Sequence, residues 1–294
     1  MLTWGLDGRR RAHAVGERGW RGPSSCLPRL LDLDDWSASM LPVTRPEPSR
    51  RLRLGLRTRA RVRARNLCRA DRRARRGSLP IPDAIDDATA GGLPVAYLTA
   101  QITLTQAGFA AGKTVLAPAI GGAVGNAVTQ LAGAQGAAKA ISTTTSSLKA
   151  KQARALGFED VIDLSVESLV DGVARPTGGR GVDIIIDSVG GALTGEALST
   201  LAPNGVLTSL GYSAGRKTTI DVTDLIWKRA SMSGFSLFAQ APAVKATAWA
   251  GILPLLNLGK VKPIVERTFK LDAAGEALRH LIEDRPFGRV VLVP

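Results

Sequence analysis

The residues best suited to chemistry are Ala119-Ile-Gly-Gly-Ala-Val-Gly125, a glycine-rich turn between a β-rich run and a helical period. At this spacing Gly122 lets the backbone approach a pyrophosphate, with Ala123 and Val124 opening the helix, and Gly125 lets that helix pack closely on the strand. The helix start adds unpaired N–H groups and a positive dipole end, both suited to phosphate. Ile120 stands where a full G-x-G-x-x-G pattern has its first glycine, so the turn needs support from its surroundings.

That support comes from the elements around it. Thr114–Ala117 is predicted as the first strand, and Val124, Val128 and Leu131 at i, i+4, i+7 give the following helix one apolar face. Ala140 to Thr143 reads as the second strand, with Leu148 to Leu156 as its helix, and Val161 to Asp163 as the third. Val182 to Ile186 is almost continuously apolar, as a strand covered on both faces must be; Val206 to Leu210 repeats the pattern, and Ser231 to Leu237 is a sixth strand. Val265 to Phe269, a helix with Asp272 as N-cap and Ala274, Ala277, Leu278, Leu281 and Ile282 inward, and Arg289 to Val293 complete the chain. The alternation predicts an α/β fold with a doubly wound parallel (Rossmann) sheet.

Cofactor choice depends on the end of the second strand, where NAD sites commonly place a carboxylate on the ribose. Ile141-Ser-Thr-Thr-Thr-Ser-Ser147 has none, and no acid follows until Glu159. Ser142 and Thr143 hydroxyls, with Lys149, Lys151 or Arg154 for charge, could hold the 2′-phosphate of NADP, although such cations also serve simply to solvate a helix face. Ser188 and Val189, after the fourth strand, and Gly211 and Tyr212, after the fifth, fall where open α/β sheets form their ligand crevice. Asp187 suits a turn cap as well as a cofactor contact.

Composition limits the alternatives. The chain has 294 residues and a net charge of +14. Residues 1–76 hold 20 Arg, no Lys and 7 acids, a balance of +13. The high charge therefore belongs to the first quarter, which is expected to be solvated or poorly ordered. Two Cys and two His cannot assemble a four-cysteine zinc site or a disulfide framework, and a reduced, cytoplasmic setting is the default. Ala88–Gly112 and Thr114–Ala138 are each 25 residues without charge. Pro94, Pro118 and their glycines and amides fit a buried sheet better than a membrane span. An Arg-rich arm on nucleic acid is a further reading, but no aromatic residue lies between Trp36 and Tyr97 to stack on bases.

From Leu93 to Pro294 the sequence resembles the zinc-independent medium-chain dehydrogenases/reductases, the quinone oxidoreductase-like proteins. The matching runs are Gly92-Leu-Pro-Val-Ala-Tyr-Leu-Thr-Ala100, Gly112-Lys-Thr-Val-Leu116, Gly178-Gly-Arg-Gly-Val-Asp183, Asp187-Ser-Val-Gly-Gly191, Leu201-Ala-Pro-Asn-Gly205 and Gly288-Arg-Val-Val-Leu292. The resemblance implies that Thr99 lies beside the nicotinamide, that Gly122 to Val124 touch the pyrophosphate, and that Gly211-Tyr212 and Phe235 to Phe238, Leu237 among them, line the cleft. It also implies an NADPH-dependent oxidoreductase for a small-molecule quinone or enone, a homodimer joined through the last strand of the sheet, and a GroES-like barrel before it. Residues 1–79 carry at most a truncated or degenerate form of that barrel, with Asn66 to Asp71 and Arg76-Gly77 as faint echoes. The expected division is 1–79, a Rossmann domain at 80–258, and a strand-helix-strand at 259–294 that returns toward the catalytic region. The abrupt boundary is also what an out-of-frame reading of a GC-rich gene would leave. No catalytic residue is assigned; water and the Tyr212 hydroxyl are alternative proton sources.

Overall fold

The computed structural model describes residues 51–53 and 78–293. Most of the Arg-rich segment, with both cysteines and the barrel echoes, lies outside them. Strand β1 (Arg51–Arg53) pairs antiparallel with β2 (Ser78–Pro80). Two helices follow, α1 (Asp87–Gly91) and α2 (Leu93–Gln106). Asp86 caps α1 by accepting from the Thr89 amide at 2.9 Å, and Pro94 fixes the first turn of α2.

The centre is a six-stranded parallel sheet. Its strands are β3 (Thr114–Ala117), β4 (Lys139–Thr144), β5 (Val161–Asp163), β6 (Val182–Asp187), β7 (Leu201–Ser209) and β8 (Ser231–Gly234). They lie in the order β5-β4-β3-β6-β7-β8, so chain order reverses between β3 and β6. Ligands of open α/β sheets bind at that reversal, outside the strands' carboxyl ends.

Side-chain alternation builds the two cores. Val115, Ala117, Ile184 and Ile186 face one layer with α2, α3 (Ala123–Ala134) and α8 (Pro242–Asn257), where Leu98, Leu131 and Ile252 are buried. Leu116, Ile141 and Ile185 face the other, packed on α5 (Leu169–Thr177) and α6 (Ala192–Ser199). Helices α4 (Ser147–Ala155) and α7 (Val222–Lys228) complete the crossovers. At the open edge β8 is exposed, and Trp227 and Met232 stand out near it at 81% and 40% exposure.

A second, two-stranded parallel sheet pairs β9 (Val265–Lys270) with β10 (Arg289–Val293) across α9 (Ala274–Glu283). This unit docks on the main sheet through Phe287, which is buried with Ile120, Ala150, Ala153 and Val161.

Several expectations shift. Strand β7 begins at Leu201, because Asn204 adopts a left-handed φ of 62° and a register shift keeps the preceding residues in the sheet. Strand β8 stops at Gly234, since Leu237 turns into the core on a 3-10 turn, Leu237–Ala239. Asp272 does not cap α9; it sits within a 3-10 turn, and the N-cap residue is Ala273 with no side-chain bond. Ile282 is 39% exposed, so the inner face of α9 is narrower than expected. The first uncharged stretch is α1 and α2, and the second is β3, its turn and α3. No described helix is long and apolar enough to cross a membrane.

Candidate dinucleotide-binding site

The glycine turn leaves β3 at the strand-order reversal. Its left-handed residue is Ala119, at φ 66°, while Ile120 is fully buried and anchors the turn in the core. A left-handed alanine costs about 1 kcal/mol. Thr143 holds it in place: its hydroxyl accepts from the Ala119 amide at 3.2 Å and its carbonyl from the Ile120 amide at 2.8 Å. Gly122 is the N-cap of α3, and no side chain caps the helix. The first-turn amides are thus left for solvent or an anion. Gly125 packs so closely on the turn that a Cβ there would lie 2.3 Å from the Pro118 carbonyl oxygen.

Facing this helix start is a small cleft, lined among others by Gly122, Ala123, Asn126, Tyr97 and Arg289. Arg289 donates to the Gly92 carbonyl from Nη2 at 3.0 Å and Nε at 3.3 Å. Burial lowers its pKa, and the Tyr97 phenol works in the opposite direction. Burial also pushes the Tyr97 phenol well above its ordinary value, with the Arg289 charge and the Gln130 hydrogen bond opposing the rise. Gln130 links the same wall to Asn126 at 2.7 Å and to the Lys262 carbonyl at 2.9 Å. Arg289 and the uncapped start of α3 thus share the lining of one small cleft, a positive charge near amides suited to an anion. In the sequence Arg289 stands out only within the last strand and the matching run Gly288 to Leu292, with no site contact expected of it; its approach to Gly92 depends on β10 folding back.

At the end of β4 two expected contacts are redirected. Ser142 is fully buried and donates to the Ala117 carbonyl at 2.5 Å, and Thr143 is only 2% exposed while holding the turn. Both lie inside a strand flanked by β3 and β5, which turns their hydroxyls inward. They position the turn rather than offering themselves to a phosphate. Lys149 is better placed: its stem passes 3.8 Å from where a Gly121 Cβ would be, and its ammonium donates to the Arg285 carbonyl. Burial, then the Arg285 charge, lowers its pKa.

The structure also supplies an acid that linear reading does not. Asp163, opposite Thr144 in the β4–β5 register, accepts from the Ser147 and Ser165 hydroxyls, each at 2.5 Å, and from the Ser165 amide at 3.0 Å. Those hydroxyls, Ser147 first, hold its carboxyl below the usual range. Its acceptor sites are occupied by the protein itself, and among the described residues Lys149 has no ion-pair partner.

The loops after β6 and β7 meet backbone to backbone. A Cβ on Gly211 would lie 2.1 Å from the Ser188 carbonyl oxygen, and the Ala214 amide donates to the Val189 carbonyl at 2.8 Å. Asp187, fully buried, organises this corner by accepting from the Val189 amide (2.8 Å), the Gly190 amide (3.0 Å) and the Thr194 hydroxyl (2.5 Å). Of its two sequence readings the structure realises the turn cap. Tyr212 is half-buried, with the Arg216 guanidinium 5.3 Å above its ring. Thr99, on α2, and Leu237 are buried, and Phe235 is half-buried, all in the layer beside this corner.

The C-terminal unit has its own electrostatic fastening. His280 lies between Glu266 (2.8 Å) and Asp284 (2.6 Å), with the Phe269 ring 5.7 Å away. The hydrogen bond to Glu266 and then that to Asp284 raise its pKa. A raised histidine pKa contributes stability that is full below the ordinary value of 6.5 and lost as pH rises through the folded-state value. The thermal midpoint of the wild type is therefore expected to exceed that of His280→Gln at about pH 6 and to converge with it toward about pH 9. A gap that stays constant over that range would contradict this.

Sheet order, uncapped helix and loop corner define a Rossmann-type dinucleotide-binding fold. The zinc-binding dehydrogenase family profile matches residues 123–254. A quinone oxidoreductase from Pseudomonas aeruginosa is 30% identical over 218 residues, 73% of this chain and 67% of that protein. Quinone oxidoreductase-like protein 2 of Bos taurus is 30% identical over 216 residues; the chain spans 62% of its length. A solved quinone oxidoreductase of Pseudomonas syringae superposes with a TM-score of 0.65 at 27% identity, covering 74% of this chain and 68% of that one. The chain belongs to the medium-chain dehydrogenase/reductase family, in its quinone oxidoreductase-like branch. Among the described residues no cluster of three or more His, Cys, Asp or Glu could hold a metal.

Proposed function

We propose that this protein is an NADPH-dependent oxidoreductase that passes hydride to a quinone or an α,β-unsaturated carbonyl without zinc. The observation that carries this reading is the uncapped start of α3 at the strand-order reversal, with Arg289 lining the same cleft. Bound NADPH would supply the hydride. The chain's own residues bind and orient it. Gly122, Ala123 and Val124 would hold the pyrophosphate by their amides while Gly125 keeps the helix close, and Arg289 would add charge. Lys149, with no carboxylate partner among the described residues, would support the 2′-phosphate. Ser188, Val189, Gly211 and Tyr212 would line the ribose and nicotinamide side, with Thr99, Phe235 and Leu237 excluding water behind them. Either the Tyr212 hydroxyl or water would deliver the proton. Independence from zinc rests on the sequence, which holds two Cys and two His in all, and on His280, already held by two carboxylates. The exposed edge at β8 supports pairing of two copies, which light scattering measures directly.

Consumption of NADPH with a panel of quinones and alkenals tests the proposal, and no turnover with any acceptor would sink it. A second reading, nucleotide binding without catalysis, is favoured by residues 1–76, whose Arg-only basic composition carries no recognisable barrel pattern. Tight NADPH binding without turnover would select it.

A further inference from the structure

We infer that Arg285, from the C-terminal strand-helix-strand unit, is a specificity-determining residue that reads the 2′-phosphate together with Lys149. The inference rests on the dinucleotide reading above and deepens it. Three observations converge on this residue. The Lys149 ammonium donates to the Arg285 carbonyl, so the loop before β10 lies against the start of α4. The Arg285 charge is close enough to lower the Lys149 pKa, and neither side chain has an ion-pair partner among the described residues. Lys149 passes Gly121, and the segment that carries Arg285 is tied to the same turn, since the Gly288 amide three residues on donates to the Gly121 carbonyl at 3.0 Å.

Two unpaired cations held together oppose folding, and an anion between them reverses the sign. The ligand chemistry that fits is a phosphate monoester carried on the ribose at the end of β4. The acid of that neighbourhood, Asp163, does not neutralise the pair, because its oxygens are taken by Ser147 and Ser165. Nucleotide selection thus draws on two parts of the chain, α4 and the C-terminal unit. The phosphate would fasten that unit over the turn.

Titration of the full chain with NADPH, NADH, 2′,5′-ADP and 5′-AMP, followed by fluorescence or calorimetry, tests this. Arg285→Gln keeps the carbonyl that Lys149 uses and removes only the charge. It is expected to weaken NADPH and 2′,5′-ADP about tenfold, the scale of one charge-assisted contact, and to leave NADH and 5′-AMP unchanged. Arg285→Lys should restore most of the difference, and added salt should shrink the wild-type NADPH-to-NADH ratio more than that of Arg285→Gln. An unchanged ratio in Arg285→Gln, or an equal loss for all four nucleotides, overturns the role of Arg285 while the dinucleotide reading stands. A wild type that binds none of the four overturns that reading, and this inference with it.

Discussion

Gly125→Ala is expected to destabilise the protein by about 3 kcal/mol, the upper end of overpacking costs. A Cβ at this position would lie 2.3 Å from the Pro118 carbonyl oxygen and 2.4 Å from that of Ala119. Both are backbone atoms in a turn already held at a left-handed alanine, so neither can swing aside as a side chain would. The helix must move away instead, carrying its uncapped amides off the proposed phosphate position. For a domain of this size the thermal midpoint should fall by about 10 °C, by the usual conversion of stability into temperature. If the proposed NADPH site is right, NADPH affinity should drop more than tenfold, roughly the value of one lost charge-assisted contact. Gly133 provides the internal control. It lies in the same helix with open space where a Cβ would be, and Gly133→Ala should stabilise by about 0.5–1 kcal/mol through helix propensity. Equal effects at the two positions, read by calorimetry, would refute the close-packing account of the turn.

Asp187→Ala is the second large effect, with an expected cost of about 3 kcal/mol from stranding buried donors. The carboxylate is fully buried and accepts from two amides and one hydroxyl, and alanine leaves all three without a partner. Asp187→Asn retains one oxygen for the Val189 and Gly190 amides, while the Thr194 hydroxyl can reverse to accept from the new amide. It should cost only about 1 kcal/mol, near the net value of a single hydrogen bond. Urea unfolding separates the two variants. In Asp187→Ala the corner between the β6 and β7 loops should also become the first site of limited proteolysis, because Ser188, Val189 and Gly211 meet there chiefly through backbone, with the Ser213 hydroxyl on the Val189 carbonyl beside them. Unfolding midpoints that match the wild type in both variants would show that the corner stands without its acid.

The candidate site's turn was legible in the sequence because its geometry is local. The turn from Ala119 to Gly125, the strand before it and the amphipathic stripe of Val124, Val128 and Leu131 are contiguous, and their spacing reports geometry directly. The strands β3, β5 and β6 were legible for a related reason: apolar runs flanked by turn residues have few alternatives. Helix α2 was not, because it is buried on nearly every side and has no polar face to set a period.

The sequence by itself determined the fold class and the glycine turn, since glycine spacing and alternation act over a few residues. Only the tertiary structure decided who meets whom at that turn. Ser142 and Thr143 sit one residue apart in the expected strand, yet their neighbours β3 and the turn take up their hydroxyls. Asp163 reaches Ser147 from 16 positions away, and Arg289 reaches Gly92 from 197. Charge and hydrogen bonding act across space, so contacts at such separations exist only after the sheet has set its strand order and the C-terminal unit has folded back over it.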